Sequence, residues 1–252
     1  MRFGIVLSGG AVRGAAHIGV LKALHERGIY PEYISGSSAG SIIGAFYSAG
    51  YSPEEMEKIA LKTNVMDYLK PAIPSVSALF SLENLKSFLD KYIKEKDVSK
   101  LKKKLYICAT NLNKGFPEYF SHGDLSTLLM ASSALPFLFK PVEINGNLYV
   151  DGGIMNNLPV EPLIDKVDFR ICVEVNPLGE EENLKNPVSI LLRSFFLAIR
   201  SNVDVRKRYC DLFIQPEELG KIGLFSTWKM KEAIDIGYSY TKNILNRYDF
   251  KI

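Results

Sequence analysis

The chain has 252 residues, 47% of them apolar and 23% charged, ordinary proportions that exclude a disordered, collagen-like or coiled-coil protein. Lys plus Arg number 31 against 28 Asp plus Glu, a net charge of +3. That balance is too weak to argue for nucleic acid, although it leaves room for a local basic face toward an anionic membrane.

No apolar run approaches the ~18 residues of a membrane-crossing helix. The first element, Phe3 to Leu7, reads as a buried strand; it is too short for a signal-peptide core and soon meets Arg13. Gly9-Gly10-Ala11-Val12-Arg13-Gly14 follows, opening a helix from about Gly14 to Arg27. Such a loop lets backbone N–H groups gather around an anion at a helix start. A phosphate-binding P-loop would need Lys and Ser/Thr where Ala15 and Ala16 stand after Gly14. A dinucleotide site would need Gly where Ala11 stands and an acidic residue ending the second strand. An oxyanion hole needs only clustered backbone donors, which Ala11 still provides. Arg13 has two equal readings, a lipid phosphate or a carboxylate near the helix start.

The second strand, Tyr33 to Ser35, runs into Gly36-Ser37-Ser38-Ala39-Gly40 and a helix over Ser41 to Gly50. This is G-x-S-x-G in a strand–turn–helix setting, where a serine on a sharp turn tolerates only small neighbours. A helix over Pro53 to Thr63 follows, then Lys70 to Ser81, whose two prolines and absent period suggest a loop or lid. After a helix near Leu82 to Ile93, Lys91 to Lys104 holds seven Lys against Glu95 and Asp97. It reads first as a solvated helix end and second as a membrane-facing patch. Leu105 to Ala109 is a strand and Leu125 to Ser133 a helix.

Leu148 to Val150 is another strand, followed by Asp151-Gly152-Gly153. In an open parallel sheet, ligands sit beyond the strands' carboxyl ends, so the glycine loop, Ser38 and Asp151 are expected at one sheet edge. The chain's only histidines are His17, His25 and His122. None lies late in the chain, where a hydrolase triad on such a sheet places its base; His122 is the one candidate for a conventional base, and His17 and His25 read as packing or surface residues. Strands at Phe169 to Val175 and Leu212 to Ile214, with helices at Pro187 to Arg208 and Thr227 to Asn246, complete the chain. The stretch Val188 to Val203 is apolar on more than one face, either core or else a wall of an acyl pocket or an interfacial surface, with Arg193 and Arg200 near lipid headgroups. Cys108, Cys172 and Cys210 are scattered and odd in number. They suggest free thiols in a reducing cytoplasm, without a disulfide framework or zinc.

Jointly the blocks L-S-G-G-A-V-R-G-A-A-H-I-G-V-L-K-A-L, G-S-S-A-G, Ala131-Ser132-Ser133-Ala134-Leu135-Pro136, Phe139-Lys140-Pro141, D-G-G and Asn156-Asn157-Leu158-Pro159 resemble the patatin-like phospholipases. The resemblance spans about Phe3 to Pro162 and implies a three-layer α/β/α fold with a mostly parallel central sheet, here one domain over residues 1–252. It implies a serine esterase acting on acyl esters of (phospho)lipids, with Ser38 as nucleophile and Asp151 as general base and acid. Gly9, Gly10 and Ala11 would form the oxyanion hole, supported by Gly14, Gly36, Gly40, Gly152 and Gly153. No metal or cofactor is implied. The expected partner is a lipid or acyl-ester substrate, with peripheral contact at the inner membrane face as an accompanying reading and no role for nucleic acid. The family usually has a third Gly where Ala11 stands, which demands a compatible φ. Kept beside this are a lysophospholipase, thioesterase or acyltransferase with the same dyad, and a catalytically silent membrane-associated regulatory module.

Overall fold

The computed structural model describes residues 1–62, 70–75, 78–136, 138–179 and 187–247. Ten strands are placed in chain order: β1 (Phe3–Leu7), β2 (Tyr33–Ser37), β3 (Lys70–Ser75), β4 (Ala78–Ser81), β5 (Lys104–Asn111), β6 (Phe116–Phe120), β7 (Val142–Ile144), β8 (Asn147–Asp151), β9 (Phe169–Val173) and β10 (Leu212–Ile214). The helices are α1 (Ala16–Glu26), α2 (Ala39–Ala49), α3 (Pro53–Lys62), α4 (Glu83–Tyr92), α5 (Leu125–Ser132), α6 (Gly153–Asn156), α7 (Pro187–Asp204) and α8 (Met230–Arg247).

Eight strands form the central sheet. From β10 through β9, β1 and β2 to β5 every pairing is parallel. Beyond β5 the sheet turns antiparallel, through β6, β8 and β7, so it is mixed. The stretch over Lys70 to Ser81 contains a second, two-stranded antiparallel sheet of β3 and β4, where the prolines suggested only a loop; a two-stranded ribbon tolerates Pro because its outer N–H groups need no partner.

Alternation along the strands builds two cores. Ile5 and Leu7 of β1, with Ile171 and Val173 of β9, join the larger cluster under α1, α2 and α8. Val6 and Cys172 point to the opposite face, where they meet Leu158, Leu163, Ile199 and Val203. The expected helix–sheet–helix layering follows directly from this period of two. At the α1–α8 crossing, a Cβ on Gly19 would sit 2.0 Å from the Ile234 carbonyl oxygen and one on Gly237 2.2 Å from that of Ala16, so only glycines permit this backbone approach.

Cys172 and Cys210 form a disulfide across 5.8 Å of Cα separation, correcting the expectation of three free thiols. The pair lies 38 residues apart, with no spacing signature; only the adjacency of β9 and β10 brings them together. Cys108 alone is a free, buried thiol, and the argument from cysteines to a reducing compartment loses its basis. Among the described residues no helix is long and apolar enough to cross a membrane. The Lys91 to Lys104 stretch is largely solvated, with Lys96 paired to Asp90 at 2.6 Å.

Candidate active site

Strand registry brings Ser38 and Asp151 together. Ile107 and Cys108 of β5 pair with both β2 and β6, and Ala109 to Asn111 pair with both β8 and β6. A strand residue has one partner per side, so β6 holds one edge of β5 while β2 and β8 share the other. β2 climbs that edge until Ser37 stands opposite Cys108; β8 descends it until Asp151 stands opposite Ala109. The two strands meet end to end on neighbouring rungs. The glycine loop and Ser38 follow their strands as expected, whereas Asp151 arrives from the opposite direction, on an antiparallel strand.

Ser38 caps α2 with φ +50° and ψ −125°, a left-handed backbone that costs a non-glycine residue about 1–3 kcal/mol and is held only by its surroundings. Those surroundings are Ser132 and its neighbours. The Ser38 N–H donates to Ser132 Oγ at 2.9 Å, and Ser132 Oγ donates to the Cys108 carbonyl at 2.6 Å. The Ala134 and Ser132 carbonyls accept the N–H groups of Asp151 (3.0 Å) and Gly152 (3.2 Å). One short segment therefore braces both candidate catalytic residues. Ser132→Ala removes the acceptor at the elbow, and we expect it to cost about 2 kcal/mol of stability and roughly tenfold in kcat through elbow misplacement. Thermal melts and ester turnover check both; a variant matching wild type in each would dissolve the bracing role.

Asp151 is 6% exposed. Burial raises its pKa to about 6, against the opposing hydrogen bonds from the Ser38 hydroxyl and the Gly153 N–H. The latter is 2.8 Å from Oδ1. The motif glycines are points of close approach: a Cβ on Gly14 would lie 2.6 Å from Ala39 Cβ, on Gly36 2.7 Å from the Gly40 backbone, on Gly152 2.3 Å from the Cys108 carbonyl and on Gly153 2.7 Å from Asn157 Oδ1.

The glycine loop differs from expectation in its donor set. The Gly9 N–H donates to Asn157 Oδ1 at 3.0 Å, which removes it from the expected oxyanion hole. Among the described residues the N–H groups of Gly10 and Ala11 have no acceptor, and both residues line the cavity described below. Ala11 takes φ +48°, the conformation that the family's usual glycine would accept without strain. Arg13 binds backbone carbonyls: Nε donates to Ile222 O at 2.7 Å and Nη2 to Gly220 O at 3.3 Å. The Val12 N–H reaches Leu224 O at 3.1 Å. The C-terminal third, which offered no motif, thus pins the loop.

A second brace is invisible in the motifs. Buried Glu174 accepts from Asn176 N–H and Nδ2 and, at 2.8 Å, from Gln215 Nε2. Asn176 Nδ2 also donates to the Gly9 carbonyl at 2.6 Å. Burial raises the Glu174 pKa. The available signal was a Glu and an Asn just beyond a strand that is apolar but for Arg170, where a solvated turn would be the ordinary reading.

None of the histidines is placed to act as base. His17 is buried, with Nε2 2.8 Å from the Ser8 carbonyl, and burial lowers its pKa to about 4. His25 lies 2.9 Å from the Tyr47 hydroxyl. His122 is exposed, near Asp97. Among the described residues no group of three His, Cys, Asp or Glu side chains comes together as a metal site.

Ser38, Asp151, Gly10 and Ala11 open onto a cavity of about 290 Å³. Its walls are apolar: Ile42 and Phe46 of α2, Met56 of α3, Phe88 of α4, Leu135 and Leu138 beyond α5, and Leu224, Phe225 and Met230 near α8. Phe195, Phe196 and Ile199 of α7 line it too, and Ile199 also belongs to the second core. This helix therefore serves the second core and the cavity wall at once. The Leu192 side chain lies outside the described residues, and Ile190 and Leu197 are exposed. Arg193 donates to the Gly179 carbonyl and Arg200 pairs with Asp204.

A protein-family model described as "Patatin-like phospholipase" matches residues 5–164. The chain is similar to an uncharacterized NTE family protein of Mycobacterium tuberculosis, 32% identical over 69% of this chain and 49% of that protein. It is also similar to the lysophospholipase NTE1 of Kluyveromyces lactis, 26% identical over 98% of this chain and 19% of that protein. The chain thus spans half or less of these relatives' length. The fold is shared with VipD of Legionella pneumophila, at a TM-score of 0.61 and 18% identity over 98% of this chain and 67% of that one.

Proposed function

This chain belongs to the patatin-like phospholipase family, and from that premise we propose that it is a serine esterase cleaving acyl esters of (phospho)lipids through a Ser38–Asp151 dyad. The observation that carries this reading is the buried Asp151 carboxyl, close enough to the Ser38 hydroxyl for that group to offset part of its burial-raised pKa, with both residues lining one apolar cavity. Ser38 Oγ attacks the ester carbonyl carbon while Asp151 takes its proton. The oxyanion that develops is held by the Gly10 and Ala11 N–H groups, each such donor being worth roughly 3 kcal/mol of barrier. Collapse of the tetrahedral intermediate breaks the ester C–O bond, and Asp151 returns the proton to the departing alcohol. Water then adds to the acyl-Ser38 carbonyl and gives a proton to Asp151; collapse releases the acid, and Ser38 recovers its proton.

A carboxyl with pKa about 6 suits this part, since it is ionised at neutral pH yet basic enough to share a hydroxyl proton. The cavity, at the small end of the ~300–1,000 Å³ typical of ligand sites, suits one acyl chain with the headgroup outside. The name of the yeast relative puts one-chain phospholipids on the substrate panel beside two-chain phospholipids, thioesters and acceptor alcohols.

A fluorophosphonate probe tests the nucleophile. Wild type is expected to gain one covalent adduct on the peptide holding Ser38, and Ser38→Ala none. Folded wild type that stays unlabelled would overturn the esterase reading and favour a catalytically silent module.

A further inference from the structure

We propose that the Phe225 to Trp228 turn is a docking point on an anionic lipid bilayer, one that holds the mouth of the cavity against the membrane; this rests on the acyl-ester reading above. Trp228 is the chain's one tryptophan and is 80% exposed, and Phe225 is 44% exposed. An indole left in water gains by moving to the headgroup layer, where its apolar ring is shielded and its N–H stays hydrated.

The position of the turn names the occupant. Leu224, Phe225, Thr227 and Met230 line the cavity, and the exposed Trp228 directly follows one of these wall residues. Drawing an acyl chain from a bilayer through water exposes every methylene of the chain, and a cavity mouth seated in the interface removes that crossing. Charge points the same way. Lys221, Lys229 and Lys231 flank the turn, and residues 219–231 hold no Asp or Glu. Lys229 and Lys231 also reach Glu232, Glu57 and Asp235, so ring insertion is the primary attraction and charge the secondary one.

The turn is also fixed relative to the chemistry. The same 220–224 stretch carries the carbonyls that hold Arg13 and the Val12 N–H. A membrane contact made at Trp228 is therefore made at a set distance from the glycine loop and Ser38.

The lone tryptophan is its own reporter. The Ser38→Ala variant, which leaves lipid intact, is titrated with vesicles of equimolar phosphatidylglycerol and phosphatidylcholine. The expected result is a blue shift of Trp228 emission and its quenching by brominated acyl chains. Trp228→Ala on the otherwise native chain is expected to bind these vesicles roughly tenfold more weakly and to hydrolyse vesicle-borne ester correspondingly more slowly, while cleaving dissolved p-nitrophenyl butyrate at the wild-type rate. Unchanged emission while the protein co-sediments with vesicles would overturn the proposal, as would full vesicle binding by Trp228→Ala. A blue shift that grows with protein concentration in the absence of lipid would also overturn it, by assigning the turn to a second copy of the chain. Loss of wild-type activity on the dissolved ester would instead sink the dyad reading, because the fluorescence titration does not depend on turnover.

Discussion

Asp151→Asn is expected to lower kcat/KM by about 10⁴, the scale on which a triad hydrolase responds to the loss of a carboxylate beside its catalytic base, and to raise thermal stability at neutral pH. Asn keeps the shape and can still accept the Gly153 N–H, but it cannot take the Ser38 proton. The stability gain follows from the raised pKa, about 6 against an ordinary 3.8. Between pH ~4 and ~6 the folded state binds more protons at this site than the unfolded state does, so stability falls as pH rises through that window. Above it, the ionised and buried carboxylate costs about 3 kcal/mol. A neutral amide removes that cost. Melts of the two proteins should therefore coincide below pH ~4, diverge as pH rises to ~6 and stay apart above it, with Asn the more stable. Wild-type turnover should fall below pH ~6 with the slope of one proton. An Asn variant that melts lower than wild type at pH 8, or retains turnover, would contradict a buried base at this position.

Gly40→Ala is expected to be the most damaging single-carbon change in the site. Its Cβ would lie 2.2 Å from the Leu7 carbonyl oxygen and 2.6 Å from that of Ser8. Both are backbone atoms at the point where β1 passes into the glycine loop, so neither can turn aside as a side chain would. Relief requires moving α2 away from β1, which pulls the Ser38 N–H from its acceptor, Ser132 Oγ. We expect a loss of more than about 3 kcal/mol together with loss of ester turnover. Gly28→Ala is the control: open space surrounds it at φ +72°, so it carries only the ~1 kcal/mol cost of a left-handed alanine. Equal melting temperatures for the two variants would refute the steric account.

The elements that carry the candidate chemistry were legible because local sterics write them into local sequence. A serine on a left-handed turn needs Gly36, Ala39 and Gly40 around it, and a carboxylate beside a crowded backbone needs Gly152 and Gly153. What was illegible depends on pairing. Nothing in Leu148 to Val150 reveals that β8 runs against β5, since a short apolar strand looks the same in either direction. The Cys172–Cys210 disulfide and the grip of Ile222 and Gly220 on Arg13 join residues 38 and about 200 apart. Ser132 lies within a motif block, yet its function depends on the Cys108 carbonyl on one side and the Ser38 N–H on the other. The role of Glu174 likewise exists only once Asn176 and Gln215 close around it.

The place of β1 between β2 and β9 bears on how a minimal catalytic fragment would be cut. The matched family region stops at residue 164, before β9 begins at Phe169. Trimming there would keep Ser38 and Asp151 while leaving five residues of β1 as an uncovered parallel border, the kind of ribbon that recruits other chains. A shortened version meant to stay monodisperse must therefore run on at least through β9, and through the 220–224 carbonyls if the glycine loop is to keep its shape.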